Sequence, residues 1–260
     1  MTFKLDPIHR AAYFMILFAA AALATHFTGQ VLLHLCATLG LSLLLWVFFT
    51  YFSTKRKNIW DTVITGLILF LVLHYGSSAG DLVFPIVATT IAMLVKFFVE
   101  WKASPIINPV SIGLLLAALI LAFVPGLDHL FVSWWGASFG GYVSLALIAL
   151  WMVGGLYQWK KWQIVISFLV AHALLLLLRG QGMGGLQYTF TDSTIYFFVT
   201  IMLVEPKTSP FWPKQQVAYG LVAAILFNLL AYAGTPYFEL FALVGANLSR
   251  VVMMQLPKKN

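Results

Sequence analysis

Charged residues are scarce in this sequence: only 9% of its 260 residues are Asp, Glu, Lys or Arg, and just eight of these are acidic. A soluble domain carries about 25% charged residues, so the composition excludes an ordinary soluble enzyme or binding module. Hydrophobic residues make up 62% of the chain and recur in long apolar runs. The sequence therefore predicts an all-α integral membrane protein with one membrane domain over residues 1–260.

Cysteine is almost absent as well. The single Cys36 excludes an internal disulfide, and it cannot by itself hold an iron–sulfur cluster, which needs about four thiolates. The glycine-rich stretch Gly180 to Gly185 follows a predicted helix end, so it is interpreted as a flexible loop and not as a phosphate-binding loop. No nucleophile–base–acid set is recognisable. We therefore assign no catalytic residue and expect a component of a larger system rather than a self-contained enzyme.

Ten apolar segments are predicted to form transmembrane helices, since a spanning helix needs about 20 mostly apolar residues. They are residues 11–27, 31–52, 61–76, 82–101, 109–125, 141–158, 163–179, 193–204, 217–233 and 238–256. The first segment lacks a cleavage site at its end and is predicted to be a span rather than a signal peptide. The third, seventh and eighth are short, and short or interrupted helices line the central site of transporter-like folds.

The basic residues predict the orientation, because the cytoplasmic ends of spans carry an excess of Lys and Arg. With the N-terminus inside, only Arg179 of the fifteen basic residues falls outside. The others are Lys4, Arg10, Lys55, Arg56, Lys57, Lys96, Lys102, Lys160, Lys161, Lys207, Lys214, Arg250, Lys258 and Lys259. The net charge of +7 thus reflects topology and not nucleic-acid binding. We expect a multi-pass protein of the cytoplasmic membrane with both termini in the cytoplasm.

The two halves of the chain, residues 1–130 and 131–260, are predicted to form an inverted repeat. Asp61 opens the third segment from the inside and Asp192 opens the eighth from the outside, each as a candidate helix N-cap. Five spans, an odd number, separate the two segments, so equivalent helices would run in opposite directions. Such a repeat places a site between its halves.

Two polar, proline-rich breaks interrupt the apolar pattern on the predicted cytoplasmic side. In the first, Asn108-Pro109 begins the fifth helix, whose free N–H groups carry a partial positive charge. In the second, Glu205-Pro206 ends the eighth helix, because proline disfavours helical backbone before it. A cation and two hydroxyls follow in Lys207 to Ser209. The breaks are either two ordinary loops or one pocket for a polar or anionic ligand, and the spacing alone leaves both open.

The histidines raise the question of a haem or a metal ion, for which imidazole is a common ligand. His26, His34, His74 and His129 map near the outer face, and His172 lies close to mid-depth. No two of them have the spacing of ligands stacked on one helix, so we expect neither group. A polar residue in mid-membrane usually faces the bundle interior. His172 therefore either bonds to a neighbouring helix or contributes to the site.

Both breaks carry sequences that resemble one membrane-protein family. Residues 107–113, INPVSIG, resemble its F-N-P-A-x-x-G segment, and residues 202–210, MLVEPKTSP, resemble its F-M-x-T-D/E-P-x-T-S segment. Gly245 and Asn247 resemble a Gly-Asn element in the last helix of its small members. Over nearly its whole length the chain is similar to the RnfD/NqrB family, whose members are membrane components of the Rnf complex and of the sodium-pumping NADH:quinone reductase.

This resemblance implies a ten-helix inverted-repeat bundle, similar in fold to urea transporters, that binds flavin between its halves and passes electrons. The implied partners are the lipid bilayer and other redox subunits or a cytoplasmic NAD(P)H- or ferredoxin-linked reductase, with ion movement as a further coupled process. The residues implied for flavin binding are Lys102, Asn108, Pro109, Asp192, Thr194, Glu205, Pro206, Lys207, Thr208 and Ser209.

The resemblance also implies roles for several of these residues. Lys102 or Lys207 would lie near the flavin N1/O2 edge or a phosphate, and Asn108 and Thr208 would form hydrogen bonds. Glu205 would either act as a capping group or accept and release a proton. The aromatic residues around the second motif, from Tyr196 to Phe198 together with Phe211, would supply apolar walls.

One departure from the family affects the cofactor. Its members often carry FMN covalently on the threonine of an S-G-A-T sequence, whereas Asp192-Ser193-Thr194 lacks the Gly-Ala context. We therefore expect a non-covalent flavin, FMN or riboflavin. The alternatives are a channel or transporter for a small polar solute on the same fold without a cofactor, and a scaffold protein with neither activity.

Overall fold

The computed structural model describes residues 6–53, 57–76, 78–101, 104–126 and 132–255. Its helices are α1 Pro7–Thr25, α2 Gly29–Phe52, α3 Ile59–Val72, α4 Val83–Phe98, α5 Pro109–Leu121, α6 Tyr142–Trp159, α7 Trp162–Leu178, α8 Gly182–Thr191, α9 Ser193–Met202, α10 Pro213–Tyr232 and α11 Phe238–Gln255. A 3₁₀ turn, Ala79–Leu82, leads into α4. Two short strands, β1 Glu100–Trp101 and β2 Ser104–Pro105, pair antiparallel between α4 and α5.

The apolar helices are those of a multi-pass membrane protein. Helices α1, α2, α6 and α10, and the stretch Gly80–Phe98 that contains α4, are each long and apolar enough to cross a membrane. Helices α3, α5, α7 and α9 are apolar but shorter. Large apolar side chains such as Leu44, Val153 and Leu178 are exposed on the bundle surface, as expected where lipid rather than water surrounds the helices. The fold class is therefore all-α and membrane-embedded.

Helix α8 corrects one prediction. The glycine-rich stretch that was interpreted as a flexible loop contributes the first turn of this helix, which begins at Gly182 and runs to Thr191. Glycine is among the poorest helix formers, by about 1 kcal/mol relative to alanine, so the local sequence argues against a helix here. The helix packs back against α7, so the local preference does not by itself decide its conformation.

Helices α3 and α9 lie at the centre of the bundle. The stretches Leu67–Leu73 and Phe197–Val204 are buried at every position, whereas a helix that faces lipid on one side alternates between buried and exposed positions. Helix α9 ends in a π-helical turn, Phe198–Met202, and similar turns occur at Cys36–Gly40 in α2 and Met152–Leu156 in α6. Such turns are often found at functional sites.

The end of α3 shows how a short helix is tolerated inside the bundle. The last carbonyls of a helix have no partner within the helix. Here the Val72 carbonyl accepts from the backbone N–H groups of Ser133 and Trp134, and the Phe70 carbonyl accepts from the Trp135 indole at 2.9 Å and from His34 Nε2 at 3.2 Å. Because these partners satisfy the freed groups, α3 can stop inside the protein. His34 therefore has a structural role.

The start of α3 corrects a second prediction. Asn58, and not Asp61, is the N-cap: its side-chain oxygen accepts from the Trp60 backbone N–H at 3.0 Å. Asp61 lies in the first turn of the helix, which leaves its carboxylate available for long-range ion pairs. Asp192 does cap α9 as predicted, by accepting from the Thr194 backbone N–H at 2.9 Å.

Candidate functional site

Asn108 organises the first break. Its side-chain oxygen accepts from the backbone N–H groups of Val110 at 2.9 Å and Ser111 at 3.2 Å, and Pro109 occupies the first helical position of α5. An Asn cap followed by proline is a favourable way to begin a helix, because proline has no N–H to satisfy there and its φ angle already suits the helix. The predicted start of this helix is confirmed.

Glu205 brings the second break to the first. Helix α9 ends at Met202, and Glu205 Oε2 accepts from Asn108 Nδ2 at 2.8 Å and from Thr208 Oγ1 at 2.9 Å. The Ser209 hydroxyl closes the loop by donating to the Glu205 backbone carbonyl at 2.8 Å. The structure therefore brings the two breaks into contact.

Asn247 of α11 ties the two breaks together from the opposite side. Its Oδ1 accepts from the Asn108 backbone N–H at 2.7 Å, and its Nδ2 donates to the Thr208 carbonyl at 3.3 Å and to the Tyr219 hydroxyl at 2.7 Å. Asn247 and Tyr219 are fully buried. The Gly-Asn element therefore supports the site, although its asparagine does not reach the cavity described below.

A cluster of charged side chains lies beside these breaks. Asp61 Oδ2 lies 2.6 Å from Lys207 Nζ and 3.0 Å from Lys96 Nζ. Lys96, in the last turn of α4, is only 2% exposed and also donates to the Asp61 backbone carbonyl and to Thr65 Oγ1. A buried charge needs an ion partner and further hydrogen bonds to be tolerated, and Lys96 has both. Lys207 is more exposed, with 38% of its side chain accessible.

A cavity of about 350 Å³ opens beside this network, between α1, α3, α5, α6 and α9. Its polar end is formed by Asp6, Asp61, Asn108, Glu205 and Lys207. Exposed Asp6 and Pro206 at its rim mark where it reaches the surface.

Aromatic rings form one wall of the cavity. Phe14 and Trp151 are stacked, with ring centroids 4.9 Å apart and planes 27° apart, and Trp159 meets Trp151 edge-on. The Trp151 indole is held in place because it donates to the Thr200 carbonyl, at 2.9 Å, in the π-helical turn of α9. The result is an apolar slot with convergent polar groups at one end, which is the usual form of a small-molecule site.

Burial and charge act together on Glu205. Removal from water raises the pKa of its carboxyl above the ordinary value, and the nearby Asp61 charge raises it further. The Lys96 and Lys207 charges and the Thr208 hydroxyl oppose this shift without cancelling it. Glu205 is therefore a carboxyl that can hold or release a proton next to the cavity.

We expect Glu205→Gln to change how stability depends on pH. Because the folded protein binds this proton more tightly than the unfolded chain does, Glu205 contributes stability below its ordinary pKa and loses that contribution as pH rises through the raised value. Glutamine can accept the same two hydrogen bonds without ionising. Thermal unfolding in detergent across a pH series should therefore show the two proteins equal at acid pH and the wild type less stable at higher pH. Parallel curves would contradict this assignment.

The other predicted residues divide into four groups. Pro109, Pro206 and Lys207 line the cavity, whereas Thr208 and Ser209 support it through Glu205. Asp192 and Thr194 begin α9 at the end away from Glu205, so the structure does not bring them to the cavity. Lys102 and His129 lie outside the described residues.

The aromatic residues of the second motif do not form the cavity walls. Phe197 and Phe198 are buried in the core, and Phe211 is 76% exposed. None of these three residues lines the cavity, and Tyr196 does not line it either. Sequence reasoning missed the walls that are present, Phe14 and Trp151. The one available indication is that Trp151 lies inside an apolar segment and not at its end, where tryptophan serves as an interfacial anchor.

His172 faces the bundle interior, as predicted, but not the cavity. Its Nδ1 lies 2.8 Å from Asn228 Nδ2 on the neighbouring α10, and Phe168 stacks on its ring. Of the two roles left open for it, the structure shows the hydrogen bond to a neighbouring helix. Among the described residues, no three His, Cys, Asp or Glu side chains lie together as a metal ion would require.

Comparison with known proteins adds no relative. Neither the family models nor the curated proteins searched include a match to this chain. The family resemblance therefore stays a prediction from the sequence motifs.

Proposed function

We propose that this chain is an integral membrane component of a flavin-dependent electron-transfer system and binds a flavin in the cavity beside Asn108 and Glu205. The observation that carries the proposal is the meeting of the two motifs at the polar end of an aromatic-walled cavity. These are the segments that resemble the RnfD/NqrB family of the Rnf complex and the sodium-pumping NADH:quinone reductase, and we propose membership of that family.

The proposed architecture is ten spans in an inverted repeat, α1–α5 against α6, α7 and α9–α11. It is supported by helix contacts that recur between equivalent pairs of helices in the two halves. Helix α1 packs on α3 as α6 packs on α9, and α4 packs on α5 as α10 packs on α11. Helices α5 and α11 meet across the two halves. In this arrangement the cavity lies between the halves, where inverted-repeat folds place their sites.

The residues of the cavity fit a flavin ring. A volume of about 350 Å³ falls within the usual range of about 300–1,000 Å³ for ligand pockets. The stacked pair Phe14 and Trp151 offers a planar wall, the partly exposed Lys207 ammonium is a donor for the ring oxygens, and Glu205 can exchange a proton. The flavin, when bound, supplies the electron-accepting chemistry, and the protein orients it and excludes water.

The charges at the cavity favour an uncharged flavin over a phosphorylated one. Three carboxylates, Asp6, Asp61 and Glu205, line the cavity, and Lys207 is the one cation among the described lining residues. Because Lys207 is already paired with Asp61, no described lining residue offers a dianionic phosphate an unpaired positive charge, so we propose riboflavin rather than FMN as the ligand of this cavity. Electrons would come from other redox subunits or from a cytoplasmic NAD(P)H- or ferredoxin-linked reductase, with the Asn108–Glu205 end facing the cytoplasm.

The decisive experiment is the absorbance spectrum of the purified protein. The proposal expects the near-ultraviolet and blue absorption bands of an oxidised flavin, and acid precipitation should release the flavin because we propose a non-covalent complex. We expect Ala11→Leu, which fills a cavity-lining position, to weaken flavin binding roughly tenfold or more. Ala11→Ser adds little volume and should retain the flavin. A colourless protein that also fails to bind added riboflavin would refute the proposal.

A second candidate function is a channel or transporter for a small polar solute. The observation that favours it is the buried Asp61–Lys96 pair beside a cavity that reaches the surface, since ionisable groups inside membrane proteins often mark solute or proton pathways. Solute flux into liposomes by a colourless protein would support this function. Absence of both flavin and flux would point to a scaffold protein.

A further inference from the structure

Arg250 of α11 is a buried cation without an ion partner among the described residues. Its side chain lies one turn beyond Asn247, the residue is only 9% exposed, and one long hydrogen bond, 3.4 Å from Nη1 to the Pro105 carbonyl, is the only one that the described residues give it. A guanidinium has five N–H donors. Most of its hydrogen-bonding capacity is therefore unused within the described part of the chain.

Lys161, at the start of α7, is a second buried cation in the same region. It is 3% exposed, and its Nζ contacts only backbone carbonyls, those of Ser209 and Pro210, among the described residues. Burial, together with the nearby Arg250 charge, lowers the pKa of Lys161 to about 8. The Arg250 charge therefore disfavours the charged form of Lys161.

Glu205 offsets the charge of this pair of cations only in part. Its carboxylate is bonded to Asn108 and Thr208, and its own raised pKa shows that the surroundings do not strongly favour its charged form. Burying a charge without a full counter-charge destabilises a protein. The protein would avoid this cost if an anion from outside the chain bound beside Arg250.

A small pocket lies beside Arg250. Its other lining residues are Trp101, Ser104, Pro105, Ile106, Val251 and Met254, and its volume is about 40 Å³. It shares no lining residue with the larger cavity. Arg250 is its one charged lining residue and most of the others are apolar, with Met254 44% exposed towards the surface. The pocket thus combines one cation with apolar walls at the end of the bundle.

We propose that this pocket binds the phosphate of an anionic phospholipid, with Arg250 as the residue that recognises it. The guanidinium fork matches two phosphate oxygens, and basic pockets between helix ends are where anionic lipid headgroups bind membrane proteins. The apolar walls favour a lipid over free phosphate, because acyl chains can continue along exposed side chains such as Met254. The bound lipid would connect the β1–β2 hairpin to α11.

The test compares lipids on delipidated protein in detergent. We expect phosphatidylglycerol to raise the unfolding temperature of the wild type more than phosphatidylcholine does, since a ligand that binds only the folded state stabilises it. Arg250→Gln should lose this difference, with affinity for phosphatidylglycerol reduced roughly tenfold or more. Lys214→Gln removes the same charge from an exposed position of α10 and should behave like the wild type.

Three results would overturn the proposal. The first is a wild type without any preference for phosphatidylglycerol over phosphatidylcholine. The second is an equal preference for phosphatidylglycerol in Arg250→Gln and Lys214→Gln. The third is that inorganic phosphate stabilises the protein as well as the lipid does. If Arg250→Gln does not fold, Arg250→Lys replaces it. That variant keeps the charge but not the fork, and native mass spectrometry should find less bound phosphatidylglycerol on it than on the wild type. The measurement does not involve the flavin cavity, so the two proposals can fail independently.

Discussion

Asp61→Asn is expected to lower the free energy of unfolding by about 3–5 kcal/mol, because removing one partner of a buried ion pair leaves the other charge unpaired. The charge left behind is Lys96, which is 2% exposed and whose ion partner is Asp61. Asparagine matches aspartate in shape, so the loss would reflect charge and not packing. Unfolding of the purified protein in mixed micelles with increasing denaturing detergent would measure it.

Two further variants separate this pair from its exposed neighbour. Lys207→Gln removes the other cation on Asp61, but 38% of its side chain is accessible, so the expected loss is about 1 kcal/mol or less. The double variant Asp61→Asn with Lys96→Met removes both buried charges and should regain most of the stability. Equal losses of unfolding free energy for Asp61→Asn and Lys207→Gln would show that the buried pair contributes no more to stability than the exposed one.

Asn108→Ala is expected to cost about 2–4 kcal/mol, because Asn108 both caps α5 and donates to Glu205. Loss of an N-cap costs about 0.5–2 kcal/mol, and a buried acceptor left without its donor costs about 1–3 kcal/mol. The same substitution separates the two breaks at the polar end of the cavity. Flavin binding should therefore weaken together with stability, and titration of the purified variant with riboflavin measures this.

Asn108→Ser divides the two contributions. Serine is a good N-cap but cannot reach Glu205 as the asparagine amide does, so its loss of stability should be about half that of the alanine variant. Riboflavin binding should be weakened in both variants, since both lack the Asn108–Glu205 hydrogen bond. A serine variant with wild-type binding would show that the cap, and not this hydrogen bond, shapes the cavity.

Local chemistry makes part of the site predictable from sequence. Proline after Asn108 sets the start of α5, and proline after Glu205 stops α9 before it, because a missing N–H and a fixed φ angle act on immediate neighbours wherever the chain lies. The long apolar runs likewise determine that the chain is membrane-embedded and helical. The orientation and the flavin remain predictions at this level.

Tertiary structure decided the rest. Asp61 lies in the first turn of α3, a position that suggests an acid stabilising the helix end, yet its partners Lys96 and Lys207 are distant in sequence. The walls Phe14 and Trp151 come from different halves of the chain. By itself the sequence determined that apolar helices surrounded by lipid form, and where two of them begin or stop at Asn108-Pro109 and Glu205-Pro206, since those effects act over a few residues. The contacts between side chains depended on how the helices pack. Ion pairs and cavity walls need groups within a few ångströms of each other, and only the folded bundle brings residues that are distant in sequence so close.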